Sequence, residues 1–324
     1  MNFLAKYKVV VPKTNFPSLE VEEDLLQEVD ADLEIYNYDS TEKIKNVAED
    51  ADALLTQFFT EIDADIIDSL QECKVIVCAG IGTNHIDVEA ASEKGIYVAN
   101  VPTYCEEEVA SHTIALMLAI SRKIVQYNED IKAKNWNIYD HIPLKRYSDS
   151  TLGIIGLGKI GKMVAERAKP FGLDILSYDP YTNESKAKKL GVNLVQLDEL
   201  IKKADFVCIN APLTPETKGI LGEEEFKKMK ESALLINTSR GGLIKEKDLY
   251  KALKSQQISG AALDVLTQEP PSEDNPLLQL KNVIFTPHVG WYSEGSEYEL
   301  HYKMGKAIVD VLNGGEPDNY VNKV

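Results

Sequence analysis

Six residues, Gly156-Leu157-Gly158-Lys159-Ile160-Gly161, followed eighteen positions past the last glycine by Asp179, make the stretch of this 324-residue chain with the clearest chemical purpose. Residues 152–155 ahead of it read as a buried strand. In that setting Gly156 allows a tight turn, Gly158 lets the backbone approach a pyrophosphate, and Gly161 lets the next helix pack closely on the sheet. The helix then offers its first amides and the positive end of its dipole to phosphate, with Lys159 and Ile160 nearest. Asp179 closes a second strand, 174–178, where a carboxylate accepts both hydroxyls of an adenosine ribose and repels a 2′-phosphate. The pattern predicts a dinucleotide site, and NAD rather than NADP as its occupant.

Three further polar segments end strand-like runs: Ile236-Asn237-Thr238-Ser239-Arg240-Gly241-Gly242, Ala262-Leu263-Asp264-Val265 with Gln268-Glu269-Pro270, and Thr286-Pro287-His288-Val289-Gly290-Trp291. In an open parallel sheet the loops at the carboxyl ends of the strands converge on the ligand crevice.

The elements that must position these groups form two series of apolar runs alternating with helical patterns, the signature of parallel β-α-β units covered on both faces. The first series comprises 8–11, 33–36, 53–55, 75–79 and 97–99; the second comprises 152–155, 174–178, 206–210, 233–237, 260–264 and 283–286. Between them Val109, Thr113, Leu116, Met117, Ile120 and Ile124 recur at helical spacing and predict one connecting helix over 106–125. Residues 297–312 read as a final helix that returns to the first domain, stopped by Gly314-Gly315. The expected class is α/β, with two Rossmann-like or flavodoxin-like parallel-sheet domains and a cleft between them. Residues 1–102 with 293–324 form the expected substrate domain and 103–292 the NAD-binding domain, with crossings near Pro102 and Tyr292. The aromatic-rich stretch 128–150, containing Trp136-Asn137-Ile138-Tyr139, is either an arm covering a partner subunit or a surface loop with packed aromatics.

A formal charge of −17 argues against a nucleic-acid partner, since most of the surface repels phosphate. The four cysteines, Cys73, Cys78, Cys105 and Cys208, show neither a CxxC pair nor metal-ligand spacing with histidine, so they read as thiols of a reducing compartment. The apolar run in residues 1–11 is too short for a secretory signal, and 113–120 falls short of a membrane span. The expectation is a cytoplasmic protein without a metal.

With these motifs in order, the chain resembles the NAD-dependent D-2-hydroxyacid dehydrogenase family over almost its whole length. The marks are GLGKIG with Asp179, the segment 209–217, NTSRGG, ALDV with QEP, TPH, and in the first half Ala79-Gly80-Ile81-Gly82-Thr83-Asn84-His85-Ile86-Asp87 and Val98-Ala99-Asn100-Val101-Pro102. The resemblance implies hydride transfer between NAD(H) and a small 2-oxo or D-2-hydroxy acid, in a homodimer. Arg240 then anchors the carboxylate and keto oxygens through its guanidinium fork. His288 exchanges the proton, and Glu269 orients its ring and stabilises imidazolium. Asp264 lies beside the nicotinamide carboxamide, Thr238 and Ser239 line the same floor, and Ala211 and Pro212 border the adenosine end. Gly80, Ile81 and Gly82 offer amides to the substrate carboxylate as the cleft closes. His85, His112, His141 and His301 stay outside the catalytic set.

The match loosens at Asn84, where some relatives carry aspartate, and at Ser111, where many carry glutamate ahead of histidine. Trp291 and Tyr292 resemble the subgroup that includes the C-terminal-binding-protein corepressors, so an NAD(H)-sensing interaction protein is the alternative reading. Trp291 either lines an apolar substrate pocket or packs the hinge. No Arg or Lys lies within 79–87 to meet a phosphorylated substrate, although Lys13 offers a basic group from another loop.

Overall fold

The computed structural model describes residues 5–324; Met1 to Leu4, part of the N-terminal run read above, lie outside the described residues. The chain divides into two units, Met1–Tyr104 with Ser293–Val324, and Cys105–Tyr292.

The first unit alternates β1 (Tyr7–Val11), α1 (Glu20–Leu26), β2 (Ala31–Ile35), α2 (Thr41–Ala48), β3 (Ala53–Thr56), α3 (Ala64–Ser69), β4 (Val75–Cys78), α4 (Val88–Glu93) and β5 (Tyr97–Ala99). The strands make a five-stranded parallel sheet in the order β2-β1-β3-β4-β5, the flavodoxin-like arrangement. β3 and β4 are buried along their whole length, which explains why they read as unbroken apolar runs rather than alternating ones. After the second unit the chain returns, and its last residues are tied to β5 by Asn322, which accepts from the Val98 amide at 2.9 Å and donates to the Ile96 carbonyl at 2.8 Å.

The second unit runs α5 (Glu106–Ser121), α6 (Ile124–Lys132), β6 (Thr151–Ile155), α7 (Lys159–Ala168), β7 (Asp174–Tyr178), α8 (Glu184–Lys189), β8 (Asn193–Leu194), α9 (Leu197–Lys203), β9 (Phe206–Ile209), α10 (Glu223–Lys228), β10 (Leu234–Asn237), α11 (Glu246–Lys254), β11 (Gly260–Leu263) and β12 (Val283–Phe285). Its seven strands are parallel, in the order β12-β11-β10-β9-β6-β7-β8. The order reverses between β6 and β9, the switch point at which doubly wound sheets open a crevice for ligands. The closing helix, α12 (Glu294–Leu312), belongs to the first unit and packs on α1: a Cβ at Gly305 would lie 2.8 Å from Leu25 Cδ1.

Two expectations are corrected. The connecting helix stops at Ser121, because Lys123 takes a left-handed backbone with φ 56° and redirects the chain into α6. Val109, Thr113, Leu116, Met117 and Ile120 are buried as the spacing predicts, but Ile124 is 55% exposed. Its position keeps the helical phase, so periodicity alone carries no sign of the break. The stretch 128–150 also begins inside α6 rather than as irregular chain. Beyond α6 it leaves Trp136, Ile138, Tyr139 and Ile142 largely in solvent. β8 escaped the sequence because two residues carry no period.

Among the described residues no helix is long and apolar enough to cross a membrane. Cys78, Cys105 and Cys208 are buried, Cys73 is partly buried, and none of the four is in a disulfide; burial pushes the Cys208 thiol up, away from thiolate chemistry.

Candidate active site

The glycine turn sits at the switch point. Gly156 has φ 92°, and a Cβ there would meet the Asn210 carbonyl oxygen at 2.7 Å and the Ala211 amide at 2.8 Å, so only glycine lets β6 leave its turn against the end of β9. A Cβ on Gly161 would come within 2.1 Å of the Gly156 carbonyl oxygen, which makes it the contact that seats α7 on the turn. Around the Cβ position of Gly158 there is open space, as close approach of a ligand requires. The amides of Lys159, Ile160 and Gly161 precede the first bond of α7, from the Lys162 amide to the Gly158 carbonyl at 3.1 Å, and so are directed out of the helix end. The Lys159 ammonium points elsewhere, to Glu106 at 3.4 Å. These features fit a dinucleotide pyrophosphate.

Asp179 follows β7 and ties the two halves of this cradle together. One carboxylate oxygen accepts from the Leu157 amide at 2.6 Å, and the other accepts from the Tyr181 and Thr182 amides at 2.8 Å. The side chain is thereby fixed, with acceptor capacity left for a ribose. Ala211 is buried and Pro212 exposed; the Pro212 carbonyl accepts from Thr217 at 2.7 Å, which holds the loop after β9. Beside them Asn210, given no role in the sequence reading, has no hydrogen-bond partner at either side-chain polar atom although both are buried.

The three loops after β10, β11 and β12 carry the remaining candidates. Arg240 Nη1 donates to the Ser239 carbonyl at 2.7 Å, and its guanidinium has no carboxylate partner among the described residues. In a chain with 52 acidic residues against 35 basic ones, an arginine without an acid is notable as an anion receptor. The next residue, Gly241, is pressed against the following loop: a Cβ would lie 2.0 Å from the Leu266 carbonyl carbon. The loop that carries Arg240 therefore packs on the one that carries Glu269. Glu269 accepts from the Leu266 amide at 2.9 Å through Oε1, and its Oε2 meets His288 Nδ1 at 2.5 Å. The carboxylate is pinned from behind before it orients the imidazole.

His288 has φ 52°, an uncommon backbone for a residue with a side chain. What imposes it is Asp264. The Asp264 carbonyl accepts from the His288 amide at 2.8 Å, while its carboxylate accepts from the Thr286 hydroxyl at 2.5 Å and from the Val289 and Gly290 amides at 3.0 and 2.9 Å. His112 on α5 completes the cluster, with Nε2 3.0 Å from Thr286 Oγ1 and 3.4 Å from Asp264. The sequence expectation put Asp264 beside the nicotinamide carboxamide; here the residue is 3% exposed and clamps the turn that carries His288. Burial pushes the Asp264 carboxyl up, but the bonds from His112, Thr286, Gly290 and Val289 outweigh it and hold the pKa below the ordinary carboxylate value.

A lowered folded-state pKa means that the clamp stabilises the fold fully above the unfolded value, about 3.9, and loses this contribution as pH falls through the folded value. Asp264→Asn is expected to cost about 2 kcal/mol or more at pH 7. The deficit should shrink in denaturation series carried down to the acid limit of the native state. A deficit that stays constant with pH would show that the carboxylate charge has no part in it.

Thr238 and Ser239, expected on the floor, have their hydroxyls turned to the protein: Thr238 to Thr113 of α5 at 2.7 Å, Ser239 to the Ile209 carbonyl at 2.8 Å. They brace the strand ends. Trp291 is partly buried and meets Tyr292 edge to face, with ring centroids 5.6 Å apart.

Within the first unit, Gly80 has φ 147° and its amide donates to Cys78 at 2.9 Å, so its amide is already in use. The Ile81 and Gly82 amides have no acceptor among the described residues, and Asn100 Nδ2 holds the Ile81 carbonyl at 2.7 Å. This loop offers two amides, not three. Thr286 and Asn210 lie in motifs that the sequence singles out without giving them a role, and His112 stays outside the catalytic set there; a helical face aimed at the strand ends could have revealed it.

Against known proteins, a model of the D-isomer specific 2-hydroxyacid dehydrogenase NAD-binding domain matches residues 114–290. D-3-phosphoglycerate dehydrogenase of Methanocaldococcus jannaschii is 43% identical over 299 residues, covering 92% of this chain and 56% of that protein. Glyoxylate reductase of Korarchaeum cryptofilum is 38% identical over 277 residues, covering 85% and 83%. The chain thus spans about half the length of several curated relatives that it matches, 56% of the D-3-phosphoglycerate dehydrogenases of Methanocaldococcus jannaschii and Archaeoglobus fulgidus and 53% of that of Synechocystis. Among solved structures, D-lactate dehydrogenase of Aquifex aeolicus, complexed with NAD and lactic acid, aligns with a TM-score of 0.90 and 27% identity over 98% of this chain and 99% of that one.

Proposed function

The chain belongs to the D-isomer specific 2-hydroxyacid dehydrogenase family, and from that premise we propose that it is an NAD(H)-dependent enzyme that interconverts a 2-oxo acid and its D-2-hydroxy acid. The observation that carries this reading is the Glu269–His288 pair, 2.5 Å apart, on loops that pack with an arginine that has no acidic partner among the described residues. A solvated surface histidine needs no oriented carboxylate, and a dinucleotide sensor needs no acid.

Bound nicotinamide supplies the hydride in the reductive direction and takes it back in the other. In our reading Arg240 grips the carboxylate and keto oxygens, drawing electron density from the carbonyl carbon. Glu269 engages Nδ1 of His288, so proton donation to the developing alkoxide falls to Nε2. The imidazolium is stabilised by the carboxylate until hydroxyl and imidazole are both neutral. In oxidation His288 accepts the hydroxyl proton by the same route. The Ile81 and Gly82 amides and the Trp291 indole are retained as proposed substrate contacts, and Gly80 serves the turn that presents those amides.

Glu269→Gln keeps a hydrogen bond while removing the charge. In the reductive direction kcat should fall, because an amide cannot stabilise the imidazolium as the carboxylate does, while NADH binding stays at the parent level. A parent-like kcat would reduce Glu269 to a packing role.

Asp179→Ala is expected to relax the preference for NAD(H) over NADP(H), read from the ratio of kcat/KM values; an unchanged ratio would mean that another group reads the ribose. The exposed side chains of Trp136, Ile138, Tyr139 and Ile142 support a homodimer with this arm as contact surface. A monomeric mass across a concentration series would contradict it.

The activity itself is tested by NADH absorbance with a panel that includes glyoxylate, pyruvate and a 3-phosphorylated 2-oxo acid. The reading expects turnover of at least one, and silence across the panel at high enzyme concentration would overturn it in favour of a sensor.

A further inference from the structure

Every group assigned to chemistry in the second unit follows a strand. The same sheet also has a concavity at the end where its strands begin. A cavity of about 740 Å³ lies there, lined by Asp205 just ahead of β9, Ser232 ahead of β10, Ser259 ahead of β11 and Asn282 ahead of β12, with the arm residues His141, Ile142, Pro143 and Lys145 forming another wall. Four-residue strands separate the two ends by roughly 13 Å. The volume falls within the range of small-molecule sites, roughly 300–1,000 Å³.

Its charge opposes that of the rest of the molecule. Lys123, Lys145, Lys254 and Lys281 line it against only two carboxylates, Asp205 and Glu231, in a chain of formal charge −17. Asp205 is already shared between Lys145 and Lys230, and also accepts from the Thr151 amide. Lys254 reaches only the Tyr250 hydroxyl, at 3.0 Å. The ammonium groups of Lys123 and Lys281 have no hydrogen-bond or ion-pair partner among the described residues.

The backbone adds an independent sign. Lys123 has φ 56° and Gln256 has φ 59°, and both line this cavity. Left-handed positions at helix ends are the usual place of glycine, which relieves the clash a Cβ makes there. Lys123 ends α5 in that conformation, and its partly buried side chain lacks a counter-charge, so burial lowers its pKa. Strain and an uncompensated cation at one residue point to a ligand that supplies the missing charge.

We propose that this basal cavity binds a small polyanion, a metabolite carrying phosphate groups or several carboxylates, held by Lys123 and Lys281. The site is independent of the dehydrogenase reading, and its test can fail without touching it.

The test is calorimetric titration of the full chain, saturated with NADH so that the glycine turn is filled, with inorganic pyrophosphate and in parallel with citrate. Saturable binding of either is expected, and the tighter of the two identifies the ligand class. Lys281→Ala should weaken it at least tenfold. Lys123→Gly should weaken it similarly while raising the melting temperature, because glycine relaxes the backbone as the cation is removed. Both variants should keep the NADH affinity and anion-free turnover of the parent. Absence of saturable binding, or unchanged affinity in both variants, would overturn the proposal by placing any bound anion elsewhere, such as at Arg240.

Discussion

His288→Asn is expected to lower kcat by roughly two to four orders of magnitude, the range of acid/base catalysis, while NADH binding stays within about twofold of the parent. Asparagine is the informative replacement because it tolerates the left-handed backbone that His288 occupies at φ 52°. The Asp264 bonds to the turn run to backbone amides of His288, Val289 and Gly290, so the clamp survives the substitution. What disappears is the ring that Glu269 holds at 2.5 Å, and with it the proton donor. Stopped-flow NADH oxidation with the best substrate, alongside fluorescence titration of NADH, measures both halves. Parent-like turnover would remove His288 from the mechanism.

Arg240→Lys is expected to cost about two to three orders of magnitude in kcat/KM, with KM raised, although the formal charge is kept. One partner of a desolvated, hydrogen-bonded charge pair is worth roughly 2–5 kcal/mol when truncated, and an ammonium cannot reproduce two parallel bonds from a planar fork. The loop should hold its course in this variant. Gly241, at 2.0 Å from the Leu266 carbonyl carbon at its notional Cβ, and Asn237 Nδ2, which donates to the Arg240 carbonyl at 2.9 Å, fix it through the backbone. A variant with near-parent kcat/KM would mean that the substrate carboxylate is held elsewhere.

What could be read from the sequence is what depends on local pattern. The glycine turn and Asp179 are legible because a strand, a turn and a helix N-terminus impose residue types at fixed short spacings, and the sheet of the second unit follows from buried apolar runs. The Glu269–His288 pairing spans 19 residues, yet both ends sit in motifs. That Asp264 clamps the turn of His288 was not legible because a carboxylate ending a strand can face a ligand or its own loop, and the contacts of Thr286, Val289 and Gly290 appear only in the fold. His112 stays outside the catalytic set of the sequence reading for a plainer reason: its partner Thr286 lies 174 residues away along the chain. The break at Lys123 keeps the apolar phase intact through Ile124, so it leaves no periodic trace. The basal cavity joins residues that precede four different strands, and no linear motif links them.

The most direct test of the central claim is the configuration of the alcohol formed when this protein reduces, with NADH, the best of its 2-oxo acids other than glyoxylate, whose product is achiral, resolved by chiral chromatography. A single D-2-hydroxy enantiomer, formed in proportion to NADH consumed and at least about a hundredfold more slowly with His288→Asn, is the predicted result. The L enantiomer, a racemate, or NADH consumption without a 2-hydroxy acid would contradict it.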